Sequence, residues 1–290
     1  MRKAGLMIKV LPCCLAVLLL TVAAVQADMS VLENLQDFGH LSQNNSSLPT
    51  GFNSAGCGPT ALTNSLLYLQ NEYSGIYGTS LVPDPTKLVP TAKMLVGYPS
   101  GTNYLNWDSS SGVTWNNYFR GTYNYVEHQA SGKTIYQGEV NSGSSFPSWV
   151  SVHTGYPTWN FLYSQLQQSR AVMIFWEDST TNPVNKHYMS LAGMSFTDSN
   201  TNGHWDVGEA ATITYIDPKD GATYSNIAIS QNSNGLLQFT YHNNVHDWYD
   251  GDAQIVMAES FGPVPLPSTL LLLGSGLLGL AGVRSRFKKS

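Results

Sequence analysis

The period of the apolar positions changes near residue 170, and that change organises the chain. Before it, Leu62, Leu66 and Leu69 recur at helical spacing behind Gly56-Cys57-Gly58-Pro59. They predict a helix over 60–70 with Pro59 in its first turn, where a missing N–H costs nothing. Residues 28–50 are polar, rich in Asn and Ser, and read as an irregular lead-in. Residues 74–157 read as loop-rich, with only short helices around 90–96 and 114–119. A second clear helix covers 158–169, with Thr158 as its N-cap and Phe161, Leu162 and Leu166 on one face. After residue 170 the pattern becomes strands: 171–176, 187–192, 212–216, 225–229, 236–241 and 253–258, with turn residues between them. Helices followed by antiparallel strands predict an α+β fold, not a doubly wound α/β sheet.

The two ends follow different rules. Met1-Arg2-Lys3 and Lys9 precede an apolar run over 10–25 and the small-residue site Val25-Gln26-Ala27. That order predicts a signal peptide over 1–27, cleaved before Asp28; an uncleaved anchor is the alternative. At the other end, Val264-Pro265-Leu266-Pro267 leads into an apolar stretch over 268–283 and then Arg284, Arg286, Lys288 and Lys289. Such a stretch reaches about 24 Å as a helix, marginal for a membrane span, and its basic cluster belongs on the cytoplasmic side. A Pro motif, a weak apolar helix with Gly274, Gly276, Gly279 and Gly282, and a basic stop together resemble the PEP-CTERM sorting signal of Gram-negative bacteria. Leu266 stands where the usual motif has Glu. The resemblance implies that an exosortase-type membrane protease processes residues 264–290. The tail would hold the membrane through its helix until then, leaving the protein in the periplasm, the envelope or outside the cell.

Subtracting the ends changes the charge. The chain of 290 residues carries 14 Lys+Arg and 19 Asp+Glu, for a net charge of −5. Seven of the basic residues and none of the acidic ones lie in 1–27 and 264–290, so the domain over 28–263 carries −12. It has no electrostatic footprint for nucleic acid, and its length suits one domain. Of three cysteines, Cys13 and Cys14 leave with the signal peptide. Cys57 remains alone, unable to staple the fold.

Cys57 opens a predicted helix, where unpaired amides and the helix dipole favour a thiolate. Gly56 and Gly58 let backbone approach it. These settings make it the candidate nucleophile, against the alternative of a buried, inert thiol. His187, opening the strand His187-Tyr188-Met189-Ser190-Leu191-Ala192-Gly193, is the best placed base, and Asp217, following the strand over 212–216, is placed to orient it. These three segments resemble papain-like cysteine peptidases of the bacteriocin-leader-processing type. The matches are Cys57-Gly58-Pro59-Thr60 at a helix start, His187-Tyr188 through Gly193, and Ile216-Asp217-Pro218. The resemblance implies a papain-like α+β fold, with the Cys57 helix packed on an antiparallel sheet. It also implies thiolate attack on a peptide or amide carbonyl of a peptide or protein substrate, through a thioester intermediate. Those enzymes place a polar residue ahead of the cysteine for the oxyanion. Asn53, Asn45 and Gln43 are available, with Asn53 preferred. Two other functions fit the same residues: a non-catalytic surface or matrix protein on this scaffold, and transglutaminase-like acyl transfer.

Residues 198–209 fit the calcium-loop pattern D-x-[DN]-x-[DN]-G-x₅-E. Asp198, Asn200, Asn202, Asp206 and Glu209 supply side-chain oxygens, His204 its carbonyl, and Gly203 the sharp turn. The flanks read as strands, so a structural Ca2+ is expected to brace the connection between the His187 and Asp217 strands. A plain Asn-Gly hairpin turn is the alternative. His242, His246, Asp247, Asp250 and Asp252 have no helix to align them and read as a solvated loop.

Overall fold

The computed structural model describes residues 27–141, 146–178, 185–242 and 251–265. The expected signal peptide up to residue 26, the apolar and basic parts of the tail, and His246, Asp247 and Asp250 lie outside the described residues. Strand β1 (Ala27–Leu32) comes first, followed by helices α1 (Phe52–Ala55), α2 (Cys57–Glu72), α3 (Ser74–Tyr77), α4 (Leu88–Leu95) and α5 (Trp115–Ala130). Strands β2 (Thr134–Val140) and β3 (Ser151–Thr154) precede helix α6 (Trp159–Leu166). Six strands complete the order: β4 (Ala171–Glu177), β5 (Lys186–Asp198), β6 (Ala211–Ile216), β7 (Thr223–Gln231), β8 (Leu237–Tyr241) and β9 (Gly251–Pro263).

The fold is mostly β, and this corrects the papain-like α+β expectation of a Cys57 helix packed on an antiparallel sheet. Strands β4 to β9 pair antiparallel in sequence order, and β9 returns to pair with β4. The six therefore close into a barrel. β1 extends it beside β5, and β2 with β3 beside β9. Register shifts at Phe175/Trp176, Leu191/Gly193 and Ile213/Tyr215 supply the bends that closure needs. A periodic sequence predicts strands but not which edge strands meet, so closure was not readable from it.

β4 is apolar on both faces because it has two cores to fill. Val172, Ile174 and Trp176 join the core with Leu191, Ile213, Phe239 and Ile255, inside the barrel. Ala171, Met173 and Phe175 face the other way, into a core with Leu62, Leu66, Tyr118 and Phe119 from α2 and α5. α2 is buried from Gly58 to Gln70, and its polar side chains are paired accordingly. Thr63 Oγ1 donates to Pro59 O at 2.8 Å, Asn64 Oδ1 accepts from Leu41 N at 2.9 Å, and Ser65 Oγ bonds Ser190 Oγ at 2.8 Å. That last contact, with Ser190 Oγ donating to Ala61 O at 3.1 Å, fixes the start of α2 against the start of β5.

Three segments read as irregular are ordered. β1 takes the first part of the lead-in. The 114–119 helix runs on to Ala130, and β2 and β3 lie within the loop-rich stretch. β2 alternates buried and half-buried positions, but Gln137, Gly138 and Glu139 hide that period. Gly138 is required there, since a Cβ would sit 2.5 Å from the Phe119 ring.

Candidate functional site

One mouth of the barrel is formed by the end of β4, the start of β5, the end of β6 and the end of β8, which carry Trp176, His187, Asp217 and Tyr241. His187 faces Trp176 across the β4–β5 ladder. Its ring packs against both Trp176 and Tyr241, with centroids 5.9 Å from each, and those two rings lie 4.7 Å apart. Its Nε2 meets Asp217 Oδ1 at 2.7 Å, and the two side chains are 1% and 0% exposed. Asp217 is saturated: Oδ1 also accepts from Lys219 N at 2.7 Å, and Oδ2 accepts from the Tyr241 hydroxyl. The Asp217–Lys219 bond is the local turn that Asp-Pro sequences favour.

Cys57 arrives from the helix layer. α1 ends at Gly56, which is also the N-cap of α2, and Gly56 O accepts the first helical bond from Thr60 N at 3.1 Å. A Cβ on Gly56 would lie 2.6 Å from Phe52 O and from the Phe52 ring, so only glycine makes this elbow. At Gly58 a Cβ would make ordinary contacts of 3.4–3.5 Å with Tyr118, Val113 and Tyr188. The two glycines flanking Cys57 are thus not equivalent.

The Cys57 thiol is free and partly exposed, and it lies close enough to the His187 ring for each to shift the other's titration. With Nε2 on Asp217, Nδ1 is the ring nitrogen left for the sulfur. Desolvation pushes the thiol pKa up, but the bond to His187, its positive charge, and the N–H groups of Tyr188 and Gly58 outweigh it, and the thiol sits below its ordinary value. His187 moves the opposite way. Burial lowers its pKa, the Asp217 carboxylate and the thiol raise it, and the net value is about 9. Burial raises the Asp217 pKa, but His187, Tyr241 and Lys219 N–H hold it below the usual carboxylate range. Each shift favours a thiolate beside an imidazolium (the charged form of the pair).

The structure therefore brings Cys57, His187 and Asp217 together, with His187 hydrogen-bonded to Asp217 and electrostatically coupled to the thiol. Asn53 is exposed, and its backbone carbonyl accepts from Gln43 Nε2 and from Lys219 Nζ, each at 3.0 Å. Asn45 is exposed and caps a turn through Ser47 N. Gln43 has the buried side-chain amide of this region, and its backbone N–H donates to Pro218 O. Sequence reasoning passed over Trp176, Lys219 and Tyr241. Only Lys219, two residues after an Asp-Pro pair, had a local signal.

The loop over 198–209 joins β5 to β6, as expected, but at the opposite end of the barrel from His187. β5 is 13 residues long, roughly 40 Å of extended strand, so the loop braces the hairpin and not the Cys57 site itself. Asp198 is buried, its oxygens accepting from Asn202 N at 3.1 Å and Gly203 N at 2.7 Å. Gly203 has φ +78°. The amides of Asn200 and Asn202 both reach Asp206 Oδ2, at 2.6 and 2.8 Å, and Glu209 accepts from Ser199 N and Asp206 N. His204 N donates to Asn202 Oδ1. Among the described residues no group of three His, Cys, Asp or Glu side chains is gathered tightly enough to hold a metal.

A protein-family model, the PEP-CTERM protein-sorting motif, matches residues 263–286. The chain is thus exported and sorted to the cell envelope or the exterior, with processing by an exosortase-type protein. No helix among the described residues is long and apolar enough to cross a membrane. None of the curated proteins matches the chain.

Proposed function

We propose that this exported protein is a cysteine peptidase or amidase. The observation that carries the reading is the buried His187–Asp217 pair at one mouth of the barrel, with the Cys57 thiol beside the His187 ring and coupled to it. The likeness of the three segments around these residues to papain-like cysteine peptidases supports the activity. The Cys57 thiolate attacks the substrate carbonyl carbon, and the carbonyl π pair moves onto oxygen. The Cys57 N–H at the start of α2, which has no partner inside the helix, is the backbone donor available to that charge. The His187 imidazolium gives its proton to the leaving amine as the C–N bond breaks, leaving a thioester on Cys57. His187, now neutral, takes a proton from water, and the hydroxide displaces the thiolate to release the acid. Asp217 holds the ring in one orientation and stabilises its charge throughout.

The test is turnover of a mixed peptide library by the purified protein and by Cys57→Ala. Cleavage that disappears in a variant with an unchanged circular dichroism spectrum supports the reading. Equal cleavage by both proteins rejects Cys57 as nucleophile. Transfer of the acyl group to an added amine, in place of water, would move the assignment to acyl transfer.

A structural Ca2+ at residues 198–209 is a second proposal, favoured by the meeting of the Asn200, Asn202 and Asp206 side chains. The donor set is entirely oxygen, which suits a hard cation. Asp198, Asn200, Asn202, Asp206, Glu209 and the His204 carbonyl would hold the ion and pin the β5–β6 hairpin. The acidic groups are spread and take part in hydrogen bonds within the loop, so ion binding requires them to exchange partners.

A further inference from the structure

A cavity of about 400 Å³ is lined by residues that neighbour the Cys57–His187 site and includes none of the three groups just described. Its volume lies in the range of about 300–1,000 Å³ typical of ligand sites. Val113, Trp115, Phe146 and Phe175 supply apolar walls, while Asn116 and Lys186 stand at the polar side. Phe175 is buried, and Val113, Trp115 and Phe146 are half-buried, so each of these three leaves apolar surface facing solvent. Trp115 and Phe175 form one aromatic corner, with centroids 6.0 Å apart and planes at 70°.

Three connections place this cavity against the reactive groups. Tyr188, next to His187, donates its hydroxyl to Val113 O at 3.3 Å and lies 4.5 Å from the Phe175 ring centroid. Val113 Cγ2 lies 3.4 Å from the Cβ position of Gly58, the residue after Cys57. Lys186 directly precedes His187 and is paired with Glu177 at 2.8 Å. That pairing leaves no uncompensated cation at the rim to select an acidic group. The apolar walls gain free energy only when an apolar group covers them.

On the reading of Cys57 as a nucleophile, we infer that this cavity is a specificity pocket. It takes an aromatic or other large apolar side chain of a peptide substrate, one or two residues from the scissile bond. Such a side chain stacks in the Trp115–Phe175 corner while the carbonyl reaches the sulfur. Small or acidic side chains leave the walls wet or lose their own hydration without a partner.

The test compares inactivation of the purified protein by dipeptide vinyl sulfones that carry Phe, Ala or Asp at the first or second position from the warhead. The thiolate adds to the terminal vinyl carbon and a proton goes to the carbon next to the sulfone, so the rate reports occupancy of the pocket. Iodoacetamide, which carries no side chain, is run in parallel to report the thiolate alone. The expected result is at least about tenfold faster inactivation by one of the Phe probes than by its Ala and Asp counterparts. Trp115→Ala should remove that preference with an unchanged iodoacetamide rate, which also certifies the fold around Cys57. Normal iodoacetamide labelling with equal rates for Phe, Ala and Asp overturns the pocket and leaves the nucleophile standing. A Phe preference that survives both Trp115→Ala and Phe175→Ala places the selectivity elsewhere and also overturns it. Failure of iodoacetamide to label Cys57 overturns the nucleophile, and the pocket with it.

Discussion

The substitution Asp217→Asn isolates the charge of the third residue from its shape. Oδ1 accepts from both His187 Nε2 and Lys219 N, so the oxygen of the new amide must stay on that side. Its NH2 then faces the Tyr241 hydroxyl, which can turn to accept. The scaffold survives, and what disappears is a carboxylate 2.7 Å from a ring that is 1% exposed. A hydrogen bond to a charged group contributes about 1.5–3 kcal/mol, which corresponds to about a tenfold to hundredfold change in an equilibrium. Loss of the carboxylate lowers the His187 pKa from about 9 and raises that of the Cys57 thiol, because each charge supports the other. The iodoacetamide alkylation rate of Cys57, measured from about pH 5 to about pH 10, reads this directly. Near pH 6 the variant should react about tenfold to a hundredfold more slowly and should converge on the parent protein near pH 10. Superimposable profiles would refute the role given to Asp217. A variant that reacts fast at every pH has unfolded around the thiol, and circular dichroism identifies that outcome.

Four further outcomes follow from the packing. Gly56→Ala should destabilise by about 1–3 kcal/mol in urea unfolding, because its Cβ meets Phe52 O at 2.6 Å. Gly58→Ala, with contacts of 3.4–3.5 Å, should cost less than about 1 kcal/mol. Burial raises the carboxyl pKa of Glu259 well above the ordinary value, against the smaller effect of its bond from Thr122. A raised acid is stabilising below its unfolded pKa of about 4.3, and that contribution is lost as pH rises. Glu259→Gln should therefore raise the melting temperature near pH 8 and change it little near pH 4; equal shifts at both would contradict this. Chelator should lower the melting temperature if the 198–209 loop holds Ca2+, with little change in Cys57 alkylation at room temperature, because the loop lies at the far end of the barrel; no thermal shift rejects the ion.

The local pattern carried the site further than it carried the fold. Leu62, Leu66 and Leu69 located α2, Thr158 caps α6 by accepting from Phe161 N, and the six late strands form near their predicted positions. The neighbourhood of Cys57, His187 and Asp217 was legible because each sits where an element begins or ends, and element ends are what periodicity and turn residues mark. Closure of the barrel was not legible. It depends on β9 finding β4 across all the intervening strands, a pairing with no local signature. β1 was masked by polar residues that face a single neighbouring strand. Tyr241 was invisible for a different reason: a tyrosine ending an apolar strand reads as core, and only the tertiary fold brings its hydroxyl to Asp217.

Everything proposed for the site rests on Cys57 being a thiolate held ready by His187 in the folded protein. Intact-mass analysis of the purified protein after brief exposure to iodoacetamide near pH 5.5 tests this most directly. A single adduct is expected, mapped to Cys57 among the described residues and absent from Cys57→Ala. A native protein that stays unmodified at that pH, yet labels on unfolding and return to alkaline conditions, would contradict it.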